Sequence, residues 1–167
     1  MMEDQIFILL GSNQGARKIL LRQALEAIER ICGKIVKQSS IYETAPWGFE
    51  SEHWFLNQVV QIESLLGPEA LLEKLLAIEQ QLGRVRTNEQ YSSRAIDLDL
   101  LYYSSIHIQT RLLEIPHPRL HLRRFTLMPI SEIAPDFMHP VLKKTQLELL
   151  SALTDNSVVR RLIPDQI

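Results

Sequence analysis

A single cysteine, Cys32, stands in a chain of 167 residues. No intramolecular disulfide is possible, and no thiolate pair exists to hold a metal. Its place at an apolar helical position marks it as a core residue in a reducing compartment. Net charge is nearly absent as well: 18 Lys and Arg against 20 Asp and Glu leave −2 at pH 7. A chain so balanced has no whole-molecule field for nucleic acid or an anionic membrane, so any anion site must be local. Long apolar runs are missing. The opening MMEDQIFILL carries acids where a signal peptide needs positive charge, and no later run reaches the length of a membrane span. A cytoplasmic protein without a membrane or nucleic-acid partner is expected, and a monomer is the default. No repeat, linker or low-complexity stretch divides the chain, and at this length one core over residues 1–167 is the expected organisation.

Hydrophobic periodicity supplies the elements. Gln5 to Leu10 is a short apolar run ended by Gly11-Ser12-Asn13, as for a buried strand stopping at a turn. From about Arg17, Leu21, Leu25, Ile28 and Cys32 recur at helical spacing, and Gly33 follows at the expected helix end. Ile35 to Tyr42 and Phe55 to Glu63 read as strands, separated by a loop containing Thr44-Ala45-Pro46-Trp47-Gly48-Phe49. Pro68 opens a second helix with Leu71, Leu75, Ile78 and Leu82 on one face, closed by Gly83. Ala95 to Tyr103 alternates as a strand. This order is βαββαβ, the ferredoxin-like α+β arrangement: an antiparallel sheet with helices packed on one face, leaving the other face and the strand-end loops for ligands. Beyond it the expectation is a short strand near Ile108, a turn at Pro116-His117-Pro118, and a helical extension near Phe125 to Ile133 and Leu147 to Leu153.

The strongest chemical signal is Arg94-Ala95-Ile96-Asp97-Leu98-Asp99-Leu100. Strand alternation puts Asp97 and Asp99 on one face and the apolar residues on the other. Side chains two apart on a strand lie roughly 6.5–7 Å from each other, close enough to share a pair of hard cations and bridge them to phosphate oxygens. Magnesium suits two carboxylates plus water and phosphate, whereas zinc favours His or Cys. Alone, such a pair is as often the solvated face of a strand. Three arginines just upstream, Arg84, Arg86 and Arg94, shift the balance, because phosphoryl transfer runs on positioning and on Mg²⁺ and Arg electrostatics.

Pro116-His117-Pro118-Arg119-Leu120-His121-Leu122-Arg123-Arg124-Phe125 is a second anion-binding candidate, with His117 and either Arg123 or Arg124 as phosphate donors. His53, His107 and His139 have no such context. Thr44, Ala45 and Trp47, with Phe55, Asn57 and Phe125, combine ring faces with an amide able to donate and accept, which is what a flat heterocycle requires. Singly, each of these aromatics is more often a core residue. Gly11-Ser12-Asn13 has the spacing of neither a P-loop nor a dinucleotide fingerprint.

Taken in order, these segments resemble the 6-hydroxymethyl-7,8-dihydropterin pyrophosphokinase family: Gly11-Ser12-Asn13, Tyr42-Glu43-Thr44-Ala45-Pro46, Phe55-Leu56-Asn57, Ile78-Glu79, Gly83-Arg84-Val85-Arg86, Arg94-Ala95-Ile96-Asp97-Leu98-Asp99, and Pro116-His117 with Arg123-Arg124-Phe125. The resemblance spans roughly residues 6 to 135. It implies transfer of diphosphate from ATP to a reduced pterin alcohol in folate biosynthesis, without a covalent enzyme intermediate. It implies two Mg²⁺ ions on Asp97 and Asp99, with Arg84 and Arg94 on the transferring group. Arg86, His117 and Arg123 would hold nucleotide phosphates, with Glu79 and the backbone near Leu100 completing that site. Thr44, Ala45, Trp47, Phe55 and Asn57 would line the pterin pocket, with Phe125 and Tyr91 stacking or closing over it. The chain departs from the family pattern at Gln90-Tyr91-Ser92-Ser93, where relatives commonly carry a basic residue and Gly-Pro, so nucleotide affinity or loop behaviour would be altered. Leu76 stands where relatives may have a polar nucleotide contact. A metal-dependent phosphohydrolase, a non-catalytic RNA-binding module and a catalytically inert pterin binder are the rival readings.

Overall fold

A computed structural model describes residues 4–12, 16–45, 54–83 and 95–163. Its elements are β1 (Ile6–Ser12), α1 (Arg17–Ile31), β2 (Lys34–Gln38), β3 (Tyr42–Thr44), β4 (Phe55–Glu63), α2 (Pro68–Gln81), β5 (Asp97–Tyr103), β6 (Ile108–Gln109), β7 (Glu114–Ile115), a 3-10 turn at Leu120–Leu122, α3 (Arg124–Ile133), α4 (Gln146–Ser151) and β8 (Val159–Arg161). The main sheet runs β5-β1-β4-β3-β8, with β2 also on β4, and its described ladders are antiparallel. The expected βαββαβ series is therefore present, with β1 and β4 central and β5 on an edge.

Each central strand buries apolar side chains on both faces, and each face has its own cover. Ile8 and Leu10 of β1, Leu56 of β4 and Leu98 of β5 pack against α1 and α2 through Leu21, Ile28, Leu71 and Ile78. Phe7, Leu9, Val59 and Tyr102 pack instead against Leu127 and Ile130 of α3 and Leu149 of α4. The face expected to be left to ligands is thus partly closed by the C-terminal extension. Leaving those apolar side chains in water would cost about 1.5–3 kcal/mol each. The rest of that face carries Gly11, Asn57 and Asp97, which lie in register across three strands.

Three differences from the sequence reading each have a reason in how the strands pair. β1 continues through Gly11 and Ser12, which pair with Asn57 and Leu56, and Ser12 Oγ donates to the Ala95 carbonyl at 2.7 Å. The single strand expected over Ile35 to Tyr42 is two. Ser39 lies between them, and its Oγ accepts the Val59 amide at 2.9 Å while its own N–H donates to the Val59 carbonyl at 2.8 Å. The backbone bends there without leaving β4 unpaired. β8 has no counterpart in the sequence reading; it pairs with β3 through Glu43↔Arg160, and Arg160 grips the Glu43 carboxylate at 2.7 and 3.1 Å.

Gly33 follows α1 as expected, but its reason is space. A Cβ there would lie 2.0 Å from the Glu63 carbonyl oxygen, so only glycine lets the chain pass β4 so closely. Gly83, beyond α2, has φ +115°, a conformation glycine adopts readily.

Candidate active site

The register of the sheet assembles the site. Asp97 lies opposite Gly11, Gly11 opposite Asn57, and Asn57 opposite Tyr42. Directly opposed residues of antiparallel strands share a face, so Asp97 and Asn57 look out on the same side, roughly 10 Å apart at about 4.8 Å per strand. Asp99 lies one step farther along β5, opposite Leu9. Both aspartates are half-buried. The empty side of Gly11 matters here: a Cβ at that position would sit 3.1 Å from Asn57 Oδ1. The Asn57 amide therefore lies across β1, with its Nδ2 donating to Thr44 Oγ1 at 3.1 Å and its oxygen turned toward the Gly11 side. Asn57 and Thr44 are each 5% exposed, so this amide is held in one orientation.

Beside that pair opens a cleft of about 1280 Å³ lined by Thr44, Ala45, Phe55, Asn57, Arg123 and Phe125. All six were expected at the site. The Arg123 guanidinium stands 5.5 Å from the centre of the Phe125 ring, joining a cation to the wall where an aromatic ligand face would rest.

The open edge of β5 forms a different surface. Glu79, 3% exposed, reaches from α2 to accept the Leu98 amide at 2.8 Å, so the Leu98 N–H faces away from β1. Leu100, two residues on, presents its backbone to the same edge. On the other side of Leu100 the His117 amide donates to the Leu101 carbonyl at 3.0 Å. Glu79, Leu100 and His117 thus border one strand edge, next to the face that bears Asp97 and Asp99. The His117 imidazole has its pKa lowered to about 4, first by burial and then by the Arg123 charge. Its Nδ1 accepts the Arg119 amide at 3.2 Å. It is therefore neutral at physiological pH and carries its proton on Nε2, a donor without net charge.

Trp47, Arg84, Arg86, Tyr91 and Arg94 lie outside the described residues, as do Gln90, Ser92 and Ser93. Among the described residues no group of three or more His, Cys, Asp or Glu could hold a metal. Two carboxylates are thus the protein donors in view, a hard oxygen set that fits Mg²⁺ completed by water and phosphate and does not fit a closed zinc site.

The sequence model of the family described as 7,8-dihydro-6-hydroxymethylpterin-pyrophosphokinase (HPPK) matches residues 7–135, well over half of the chain. The chain belongs to the HPPK family. It is 44% identical over 138 residues to a 2-amino-4-hydroxy-6-hydroxymethyldihydropteridine pyrophosphokinase of Porphyromonas gingivalis, covering 81% of this chain and 93% of that protein. The protein of the same name from Bacillus subtilis is 39% identical over 160 residues, or 95% of this chain and 90% of the other. Among solved structures, an HPPK-DHPS crystallised in complex with substrates aligns with a TM-score of 0.75 at 17% identity, covering 91% of this chain and 43% of that one. A Plasmodium falciparum HPPK-DHPS gives 0.74 at 16% identity, covering 90% and 44%. That likeness concerns the fold, and the chain spans less than half the length of those solved chains.

The HPPK match ends at residue 135, yet the cleft continues past it. Leu142, Lys144, Leu149 and the run Thr154 to Ser157 also line it, and the sequence reading assigned none of them a role. Thr154-Asp155-Asn156-Ser157 is a run of turn-forming residues, a signal for a loop. What it touches, Arg124, is 31 residues upstream, which no local pattern announces. Among the described residues no helix is long and apolar enough to cross a membrane.

Proposed function

We propose that the chain transfers the β,γ-diphosphate of ATP to the hydroxymethyl oxygen of 6-hydroxymethyl-7,8-dihydropterin, releasing AMP, as a pterin pyrophosphokinase of folate biosynthesis. The observation that carries this reading is the cross-strand row from Asp97 over Gly11 to Asn57, which sets an acid pair beside a fixed amide in an aromatic-walled cleft. Family membership supports the same reaction.

In this reading Asn57, backed by Thr44, reads the pterin edge, and Phe55 and Phe125 offer ring faces to the heterocycle. Ala45 also lines that pocket, and the family resemblance would add Trp47 and Tyr91, which lie outside the described residues. The nucleotide lies along the β5 edge, where the Leu100 backbone and Glu79 meet the base end and His117 Nε2–H, Arg86 and Arg123 hold phosphates. Arg84 and Arg94 stabilise charge on the diphosphate in flight. The new bond joins the pterin oxygen to the β-phosphorus. The bond from that phosphorus to the α,β-bridging oxygen breaks, AMP departs with that oxygen, and the hydroxyl proton is released. Two Mg²⁺ ions held by Asp97 and Asp99 would neutralise phosphate charge and ease deprotonation of the alcohol. A single sequence supplies every residue named in this reading, which fits a monomer.

The deciding assay follows AMP with and without the pterin alcohol, for wild type beside Asp97→Ala and Asp99→Ala. Expected are AMP release that requires pterin and a loss of at least ~10³-fold in turnover in both variants, the scale of removing a strong electrostatic stabiliser, with folding retained. Phosphate release that ignores pterin, or full activity in folded variants, would overturn the reading.

A further inference from the structure

The N-terminus of α3 is built in a way that leaves it weak by itself. Its capping residue is Arg123, which makes no side-chain capping bond, and its first turn contains no acid. Arg123 and Arg124 instead put two cations at the positive end of the helix dipole, an unfavourable placement. Pro129 lies inside the helix; it has no N–H to return to the Phe125 carbonyl, so the first turn also lacks a rung. Yet this turn carries Phe125, and Arg123 immediately precedes it, both on the cleft wall.

The missing support comes from outside the helix. Asp155 Oδ2 accepts the Arg124 amide at 3.0 Å, and Oδ1 accepts the Ser157 amide at 2.8 Å, so one carboxylate caps α3 and shapes its own loop. Burial pushes the carboxyl pKa upward, but those two amides and the Arg124 charge outweigh it and hold the pKa below its ordinary value. Asp155 thus supplies an acceptor and a negative charge where the helix lacks both. It also lies beyond the family match at residues 7–135, on a loop that itself lines the cleft.

We propose that Asp155 is a positioning residue for the pterin: by capping α3 from the C-terminal loop it fixes Phe125 and Arg123, and makes a segment beyond the range of the family model part of what sets pterin affinity. This rests on the pterin reading given above. Asp155 does not touch the reacting atoms; of the contacts assigned to the nucleotide it bears only on Arg123, while Glu79, Leu100 and His117 on the β5 edge are built without it.

The test is a pair of titrations on purified protein with Mg²⁺: a non-hydrolysable ATP analogue alone, then 6-hydroxymethylpterin in its presence. Asp155→Ala is expected to weaken pterin binding about five- to tenfold, the scale of a lost helix cap, while binding of the ATP analogue, which feels the change through Arg123 alone, weakens less, by no more than about two- to threefold. Asp155→Asn keeps one acceptor oxygen and loses the charge, so a smaller pterin-selective weakening of about two- to threefold is expected. Unchanged pterin binding in a folded Ala variant would overturn the proposal, and so would equal weakening of both ligands, the mark of general loosening. If the Ala variant does not fold, the Asn variant decides: selective weakening upholds the proposal and no weakening overturns it. Wild-type protein that binds the ATP analogue but no pterin would instead overturn the functional reading on which the proposal stands.

Discussion

The Glu79 carboxylate accepts the Leu98 amide at 2.8 Å, and so a buried acid on α2 ties down the one residue that separates Asp97 from Asp99. Among the described residues β5 pairs with β1 on one side and with no strand on the other. Without Glu79 the Leu98 N–H would be left turned into protein with no ladder partner. Leaving a buried donor unsatisfied costs about 1–3 kcal/mol.

Glu79→Ala is accordingly expected to lower unfolding stability by about that amount in urea titration, and to raise the KM for ATP more than the KM for pterin. Glu79→Gln keeps an acceptor oxygen and should lose less of both. An Ala variant with normal ATP KM would remove Glu79 from the nucleotide site and leave it a purely structural acid.

Gly11 offers a sharper separation of folding from binding. Alanine in a strand interior is normally favoured over glycine by about 0.5–1 kcal/mol because the unfolded chain loses less freedom. Here its Cβ would meet Asn57 Oδ1 at 3.1 Å, so the amide must give by a few tenths of an ångström from the position it holds against Thr44. The two effects oppose each other in stability but not in binding. Gly11→Ala is expected to change the thermal midpoint little and to weaken pterin binding several-fold, the scale of one misdirected hydrogen bond of about 1 kcal/mol. Pterin affinity equal to wild type would show that the Asn57 amide is not held by the space over β1.

What the sequence disclosed and what it hid differ in reach. Asp97 and Asp99 were legible because strand alternation is a two-residue pattern, and α1 and α2 because their apolar faces repeat over fourteen or fifteen residues. β8 was not legible: Val159–Arg161 is three residues long with two arginines, and its partner Glu43 is 117 positions away. The Ser39 break failed for a related reason, since its side chain completes a ladder to Val59 twenty residues on. By contrast, the capping box from Thr145 to Glu148 is a four-residue signal that places the start of α4 one residue before Leu147. The covered second face follows from tertiary burial of Phe7 and Tyr102, which period-two alternation cannot separate from a ligand-binding face.

His139 sets an expectation for pH. It is 5% exposed, and its Nδ1 accepts the amides of Val141 and Leu142 at 3.1 and 3.0 Å. Burial, and then His121 and His107, lower its pKa from the ordinary 6.5 to about 4. A proton on Nδ1 would face two donors and break both bonds. The unfolded chain takes up that proton near pH 6.5 while the folded chain refuses it until about pH 4. Stability from neutral His139 is therefore fully present above 6.5 and is lost as the pH falls through that window. The loss should be on the order of 1 kcal/mol between pH 7 and pH 5, with His117, lowered to the same value, adding a comparable share. Asn at 139 can present an oxygen near the Nδ1 position without titrating. His139→Asn is thus expected to flatten part of the pH dependence of the urea midpoint between pH 5 and 7, leaving the part due to His117. Parallel wild-type and variant curves over that range would mean that His139 takes up its proton equally in both states.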